Sequence, residues 1–368
     1  MIEYVEMAEL PNLRSEWNVI FSVGGQANPF LSWDWAYHWG AGFDGDSEAI
    51  IAIAREGMDV NALACFRKSR NVCRFHANKD YADYVGALCR PGRESDLQAI
   101  FRDVDLRFSP RVFSLGPVRA IDPVAGVLDR HFSSATKRWR RDELTVNPVV
   151  RIGVGFDDYY KSRDKGLRQE IRTTENRLRK MGGWQFAIGE TEAERDEMFS
   201  RLVEFHLERQ EGKAGMSVLA DPAGQQFFRA LLHRDGMSFS AQISELRIGT
   251  RTISAAYTLR CGDSFYYWIP SFDSTIRSVS LGKLHIKCLI EYCHQNGVKR
   301  FDFMGGDEPY KFQWANDSFP LFSYRSFRNP LLASAFAFAI RSRERLRSLS
   351  RQSGAATAIR RKISKLFR

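Results

Sequence analysis

Apolar and polar residues alternate along this chain in two different periods, and the second half records them more clearly. Residues 184–188 alternate as a half-buried strand does, and 192–210 carry Met198, Leu202, Phe205 and Leu207 at helical spacing. Residues 222–233 repeat that spacing behind Asp221, a side chain suited to accept from the first free amides of a helix. Two strand-like runs, 238–248 and 252–260, flank Gly249-Thr250-Arg251 as the arms of a hairpin would, and 264–269 supplies a third strand. The helical period returns over 281–294, with Leu284, Cys288, Leu289 and Tyr292 apolar and Gly297 as the stop. A short strand follows at 301.

The first half predicts strands at 50–54, 60–66, 72–75 and 112–115 and a helix at 96–106. Between the halves, 157–181 predicts one long helix with Leu167, Ile171, Thr174 and Leu178 on its apolar face and Gly182-Gly183 at its end. The pattern divides an α+β chain into 1–156, a basic helical segment over 157–183, 184–330 and a tail over 331–368.

Composition narrows the function classes. The 368 residues suffice for two ordinary domains, and 44% hydrophobic with 27% charged residues marks a globular chain. Six cysteines show no CxxC pair and no His/Cys spacing suited to zinc, so we read them as reduced thiols, expect no metal, and expect a cytoplasmic protein. The start of the chain has no signal-peptide pattern. Of the net charge of +10, nearly all lies in 341–368, where ten residues are Lys or Arg and only Glu344 is acidic. A nearly neutral body gives no reason to expect a nucleic-acid partner. The tail begins with an apolar run, 331–340, too short to span a bilayer. It reads either as an interfacial helix resting on an anionic inner membrane or a membrane synthase, or as a solvated tail whose apolar start packs on the body.

The most informative stretch is Phe301-Asp302-Phe303-Met304-Gly305-Gly306-Asp307-Glu308-Pro309-Tyr310-Lys311-Phe312-Gln313-Trp314: a strand, a glycine turn, two acids and an aromatic-cationic block. Taken as residues, it is either the wall of a site or an aromatic turn that only packs. It resembles the C-terminal signature of the CelD/BcsL acetyltransferases, a family of cellulose and exopolysaccharide biosynthesis within the GNAT and FemABX-like superfamily. Asn28-Pro29-Phe30-Leu31-Ser32-Trp33-Asp34-Trp35 and Asp80-Tyr81-Ala82-Asp83-Tyr84 resemble that family's entry and acidic-aromatic segments.

The resemblance implies two GNAT-like lobes, with mixed, mostly antiparallel sheets flanked by helices. It implies an N-acyltransferase that moves an acyl group from acetyl-CoA or another acyl-CoA to an amino group of a sugar or related small molecule. Alternatives within the same fold are a FemABX-type transferase fed by aminoacyl-tRNA and a non-catalytic accessory protein of a membrane polysaccharide synthase. A GNAT domain binds pyrophosphate at a Q/R-x-x-G-x-G/A loop opening a helix. Here that place holds Arg277-Ser278-Val279-Ser280-Leu281-Gly282, with serine for the first glycine, so Arg277, Ser278, Ser280, Leu281 and Gly282 are the implied donor contacts. Asp307 and Glu308 are candidate bases, and Tyr310 is the candidate proton donor to the leaving thiolate. Tyr267, Lys311 and Trp314 are the candidate substrate contacts. His206 and His285, on helices among apolar residues, read as packed.

Overall fold

The computed structural model describes residues 1–43, 48–69, 71–76, 82–133, 138–153, 155–210, 217–234, 238–277, 279–329, 331 and 333. The basic tail proposed as a membrane contact lies almost wholly outside them. No helix among the described residues is long and apolar enough to cross a membrane.

The first half runs β1 (Ile2–Glu6), α1 (Arg14–Val23), α2 (Trp33–Phe43), β2 (Glu48–Glu56), β3 (Asp59–Ser69), β4 (Val72–Phe75), β5 (Leu88–Cys89), α3 (Glu94–Phe108), β6 (Val112–Arg119), α4 (Pro123–Ser133) and β7 (Arg138–Arg151). The connector follows as α5 (Phe156–Lys161) and α6 (Lys165–Lys180). The second half contains β8 (Gln185–Ile188), α7 (Glu192–Gln210), α8 (Pro222–Leu232), β9 (Ser240–Ile248), β10 (Arg251–Cys261), β11 (Ser264–Phe272), α9 (Leu281–Gln295), β12 (Arg300–Asp302), α10 (Pro309–Trp314) and β13 (Asp317–Phe327).

Where the sequence predicts one connector helix, the structure has two. Asp164 breaks it: its carboxylate accepts from Gly166 N at 2.7 Å and Leu167 N at 3.2 Å and so begins α6 as an N-cap. The apolar face of α6 is as expected, with Leu167, Ile171, Thr174 and Leu178 buried.

The strands form one sheet in the order β1-β2-β3-β4-β6-β13-β7-β12-β11-β10-β9-β8, with β5 added on β3. Its two parallel contacts, β4 with β6 and β11 with β12, are each connected through a helix, α3 in one half and α9 in the other. All other pairings are antiparallel. Each half thus holds one β-α-β crossover flanked by antiparallel strands, the arrangement a doubled lobe requires. The halves join through two strands. The long β7 pairs with β13 along most of its length and with β12 at residues 149–151, while β13 returns the chain to the first half, between β6 and β7.

Aromatic packing closes the seam. Phe30 meets Trp35 edge-on at 4.7 Å, Tyr84 at 5.8 Å and Trp268 at 5.5 Å, and Trp35 meets Phe227 at 5.1 Å. Residues from the entry segment, the 82–87 loop, β11 and α8 therefore share one core.

Candidate functional site

The site begins where two parallel strands part. β11 and β12 pair from Ser264/Arg300 to Tyr266/Asp302 and no further. Beyond that point the chain after β12 stays on β7, with Phe303 N donating to Pro148 O at 3.1 Å and Gly306 N to Val146 O at 3.2 Å. β11 instead continues along β10 to Phe272. The strands part here, with the end of β11 on one side and the 303–310 turn on the other, and this divergence is the candidate cleft.

Asp302, fully buried at the base of the cleft, is held from three directions. Its Oδ1 lies 2.7 Å from the Tyr84 hydroxyl, accepts from Asn147 Nδ2 at 2.9 Å, and caps Met304 N at 2.8 Å. The last contact favours the left-handed backbone of Met304, φ 63°. The other oxygen, Oδ2, is buried without a partner among the described residues. Gly306, at φ 134°, leaves room that a Cβ would take from Glu308 and the Lys311 ammonium.

Asp83 reaches the same turn from the first half. Its Oδ2 accepts from Gly305 N at 3.1 Å, across 222 residues of sequence. Desolvation raises its carboxyl to about 6, against the lowering effect of Lys311 and the Gly305 amide; Asp302 and Glu308 add to the rise. Lys311 is buried, with Nζ 2.9 Å from Glu308 Oε2, 3.0 Å from Gly305 O and 3.4 Å from Met304 O. Those three acceptors take its three hydrogens, so Lys311 locks the turn rather than facing a substrate as its sequence reading supposed.

The other predicted residues separate into two groups. Tyr310 is half-buried beside the cleft, and burial, with some help from Glu308, pushes its phenol up to about 12, so it carries its proton at neutral pH. Asp307 and Glu308 are exposed at the turn's outer edge. Tyr267 and Trp314 prove to be core residues. Tyr267 is buried against Phe301 and Phe303, with burial raising its phenol far above the usual value. Trp314 is fully buried, stacks on Tyr160 at 6.4 Å, and leaves no face for a sugar ring. Its carbonyl accepts from Tyr159 and Arg163, pinning α10 to the connector. The reason is amphipathic: α10 is short, and Lys311 and Trp314, three residues apart, both point inward.

The implied donor loop opens with an Asx turn, Asp273 Oδ1 accepting from Thr275 N at 2.8 Å. Arg277 is exposed, Leu281 is buried, and Ser278 lies outside the described residues. A Cβ at Gly282 would meet the Phe272 ring at ordinary contact distance. At Ser280 the expected anion contacts are already engaged by α6. Its amide donates to Thr174 Oγ1 at 3.0 Å and its hydroxyl to Glu170, which also accepts from Lys283 Nζ at 2.6 Å. Partial burial would raise the Glu170 carboxyl, but these bonds hold it below its usual value. A carboxylate of the chain therefore sits where helix α9 favours an anion.

His285 is packed as the sequence suggests: fully buried, between Ser244 Oγ at 2.9 Å and Ser254 Oγ at 2.8 Å, with burial lowering it to about 3. No group of three or more His, Cys, Asp or Glu suited to a metal occurs among the described residues. The residue that sequence reasoning missed is Asp83. Its acidic-aromatic segment was visible, but its partner across the fold was not.

Residues 165–312 match the family described as acetyltransferase (GNAT) domain. FemX superposes with a TM-score of 0.60 at 11% identity, over 91% of this chain and 99% of FemX. The tandem GNAT protein from the clavulanic acid biosynthesis pathway gives 0.50 at 11% identity, over 89% and 98%. A conserved protein of unknown function from Bacteroides thetaiotaomicron gives 0.57 at 11% identity, over 89% and 100%. No curated protein matches the chain. The fold is thus a GNAT-type acyltransferase fold in tandem. Residues 165–312, from α6 to Phe312, are the part similar to an acetyltransferase (GNAT) domain.

Proposed function

We propose that this chain is an N-acyltransferase working in the cleft between β11 and the 303–310 turn. One observation carries the reading: the Asp83 carboxylate, donated by the opposite lobe, stands at the cleft turn with its proton affinity raised to about 6. A group that ionises just below neutral pH is suited to take a proton from an attacking ammonium or amine. The amine nitrogen attacks the thioester carbonyl, the N–C bond forms, and the C–S bond breaks. Asp83 receives the amine proton, and Tyr310, neutral and half-buried, supplies one to the thiolate. Lys311 positions Asp83 by fixing Gly305 and by its charge. Asp307 and Glu308, both exposed, fit this role less well than Asp83.

The GNAT domain match supports acyl-CoA as donor, and the CelD/BcsL-like signature supports an amino sugar or related acceptor in polysaccharide production. Titration of the full chain with acetyl-CoA, followed by a mass-spectrometric screen of amino-sugar acceptors, tests both. Micromolar binding with acyl transfer is expected; a folded protein that neither binds nor acylates refutes it. Tyr310→Phe is expected to lower kcat about a hundredfold while leaving acetyl-CoA affinity within twofold. An unchanged kcat would remove Tyr310 from the mechanism.

A second reading is favoured by Glu170. Because its carboxylate holds the Ser280 hydroxyl and the Lys283 ammonium at the start of α9, a donor that places no pyrophosphate there, such as the aminoacyl ester of the FemABX type, fits the loop as it stands. The two readings separate on Glu170→Gln. If acyl-CoA is the donor, removing the competing charge tightens its binding severalfold, as calorimetry would show. No change in affinity favours the ester donor.

A further inference from the structure

A cation stands against the end of β11 that lines the cleft. Arg209, in the last turn of α7, lays its guanidinium over the Phe272 ring, 4.2 Å from the centroid. It is half-buried. Its charge reaches both Tyr267 and Tyr310. Four other cations of this half have acceptors: Lys283 has Glu170, Lys287 has Glu175, Arg251 has Asp273, and Lys311 has Glu308. Arg209 has no carboxylate within ion-pair distance among the described residues. No in-chain hydrogen bond engages the Tyr310 hydroxyl there either.

A guanidinium over an aromatic ring is attracted by the ring face without spending its N–H donors. A guanidinium offers hydrogens and accepts none, so its complement is a group with several oxygen acceptors and negative charge. The other anion position nearby, at the start of α9, already holds the Glu170 carboxylate.

We propose that Arg209 binds an oxyanion of the substrate, a phosphate or a carboxylate, at the mouth of the cleft. This rests on the acyltransfer reading for its setting, but not for its test. The oxyanion belongs either to the donor or to the acceptor, and the shared chemistry is what Arg209 recognises.

The first arm titrates the full-length protein and its Arg209→Gln and Arg209→Lys variants with inorganic pyrophosphate and with acetate, alongside melting temperatures. The unmodified protein is expected to bind at least one of these anions. Arg209→Gln is expected to weaken that binding about tenfold or more, with Arg209→Lys in between. The second arm compares acetyl-CoA with S-acetylpantetheine, which lacks the phosphates. If the oxyanion is the donor's, Arg209→Gln raises KM for acetyl-CoA alone and erases the preference between the two thioesters. If it is the acceptor's, KM for an anionic acceptor rises and the donor KM stays.

Weakened anion binding without any acyl transfer would support the Arg209 site while sinking the acyltransfer reading. No anion binding by the unmodified protein, or equal binding by Arg209→Gln, overturns the proposal.

Discussion

Asp83→Asn is expected to lower kcat/KM by a factor of about 10²–10⁴, the usual worth of a positioned general base. The pH profile sharpens the test. A base must be unprotonated to act, and the Asp83 carboxyl is raised to about 6, so activity of the unmodified protein should climb as pH rises through 6 and then level off. Asparagine cannot titrate, and the residual activity of the variant should lose that limb. The stability change should run the other way. Asp83 binds its proton more tightly folded than unfolded, so between its unfolded value and about 6 the unfolded chain carries fewer protons, and stability falls as pH rises. Asparagine keeps an acceptor for Gly305 N and removes the charge, so Asp83→Asn should melt no lower than the unmodified protein at pH 7. A variant that loses activity and stability together would point to a structural carboxylate instead.

How much of this was legible in the sequence depended on whether an element's partners lay nearby along the chain. The helices α7, α8 and α9 and the strands β9, β10 and β11 were readable because each shows its own apolar period and its turns carry glycine or an N-cap such as Asp221. The strands β7 and β13 were not. β7 opens with Arg138, Arg140, Arg141, Asp142 and Glu143, and β13 contains Pro320; neither alternates cleanly because each leaves a solvated edge and enters the core along its length. Yet these two strands fuse the halves into one sheet, so the inter-lobe geometry was hidden with them. The signature block was read correctly as a strand entering a glycine turn, but the inward and outward faces of α10 could not be assigned from six residues. Trp314 and Lys311, chemically suggestive, went inside, while Phe312 stayed out. Asp83 needed a contact spanning 222 residues, which no local pattern records.

The largest effect on stability is expected at Arg119. Its side chain is fully buried, with Nη2 2.8 Å and Nε 2.9 Å from the Asp122 carboxylate. Nη2 also donates to Gln26 O at 2.7 Å, and Nη1 to the Tyr266 hydroxyl at 3.2 Å. Tyr266 in turn donates to Ala27 O, tying the entry segment to β11 where β11 still pairs with β12. Arg119→Leu would strand the Asp122 carboxylate in a dry seam, and such an orphaned buried charge costs roughly 3–5 kcal/mol. A denaturant midpoint would show it. The double variant Arg119→Leu/Asp122→Leu removes the stranded charge as well, and should recover a good part of that loss, because a buried ion pair gains little over an apolar pair of similar volume. Activity should not recover with it. Without the guanidinium, Tyr266 keeps only its bond to Ala27, and the closed end of the cleft, one residue pair from Tyr267 and Phe303, loses the link that fixes both lobes. A double variant that regained turnover along with stability would mean that the Arg119 network holds the fold without aligning the Asp83 and Asp302 carboxylates across the seam.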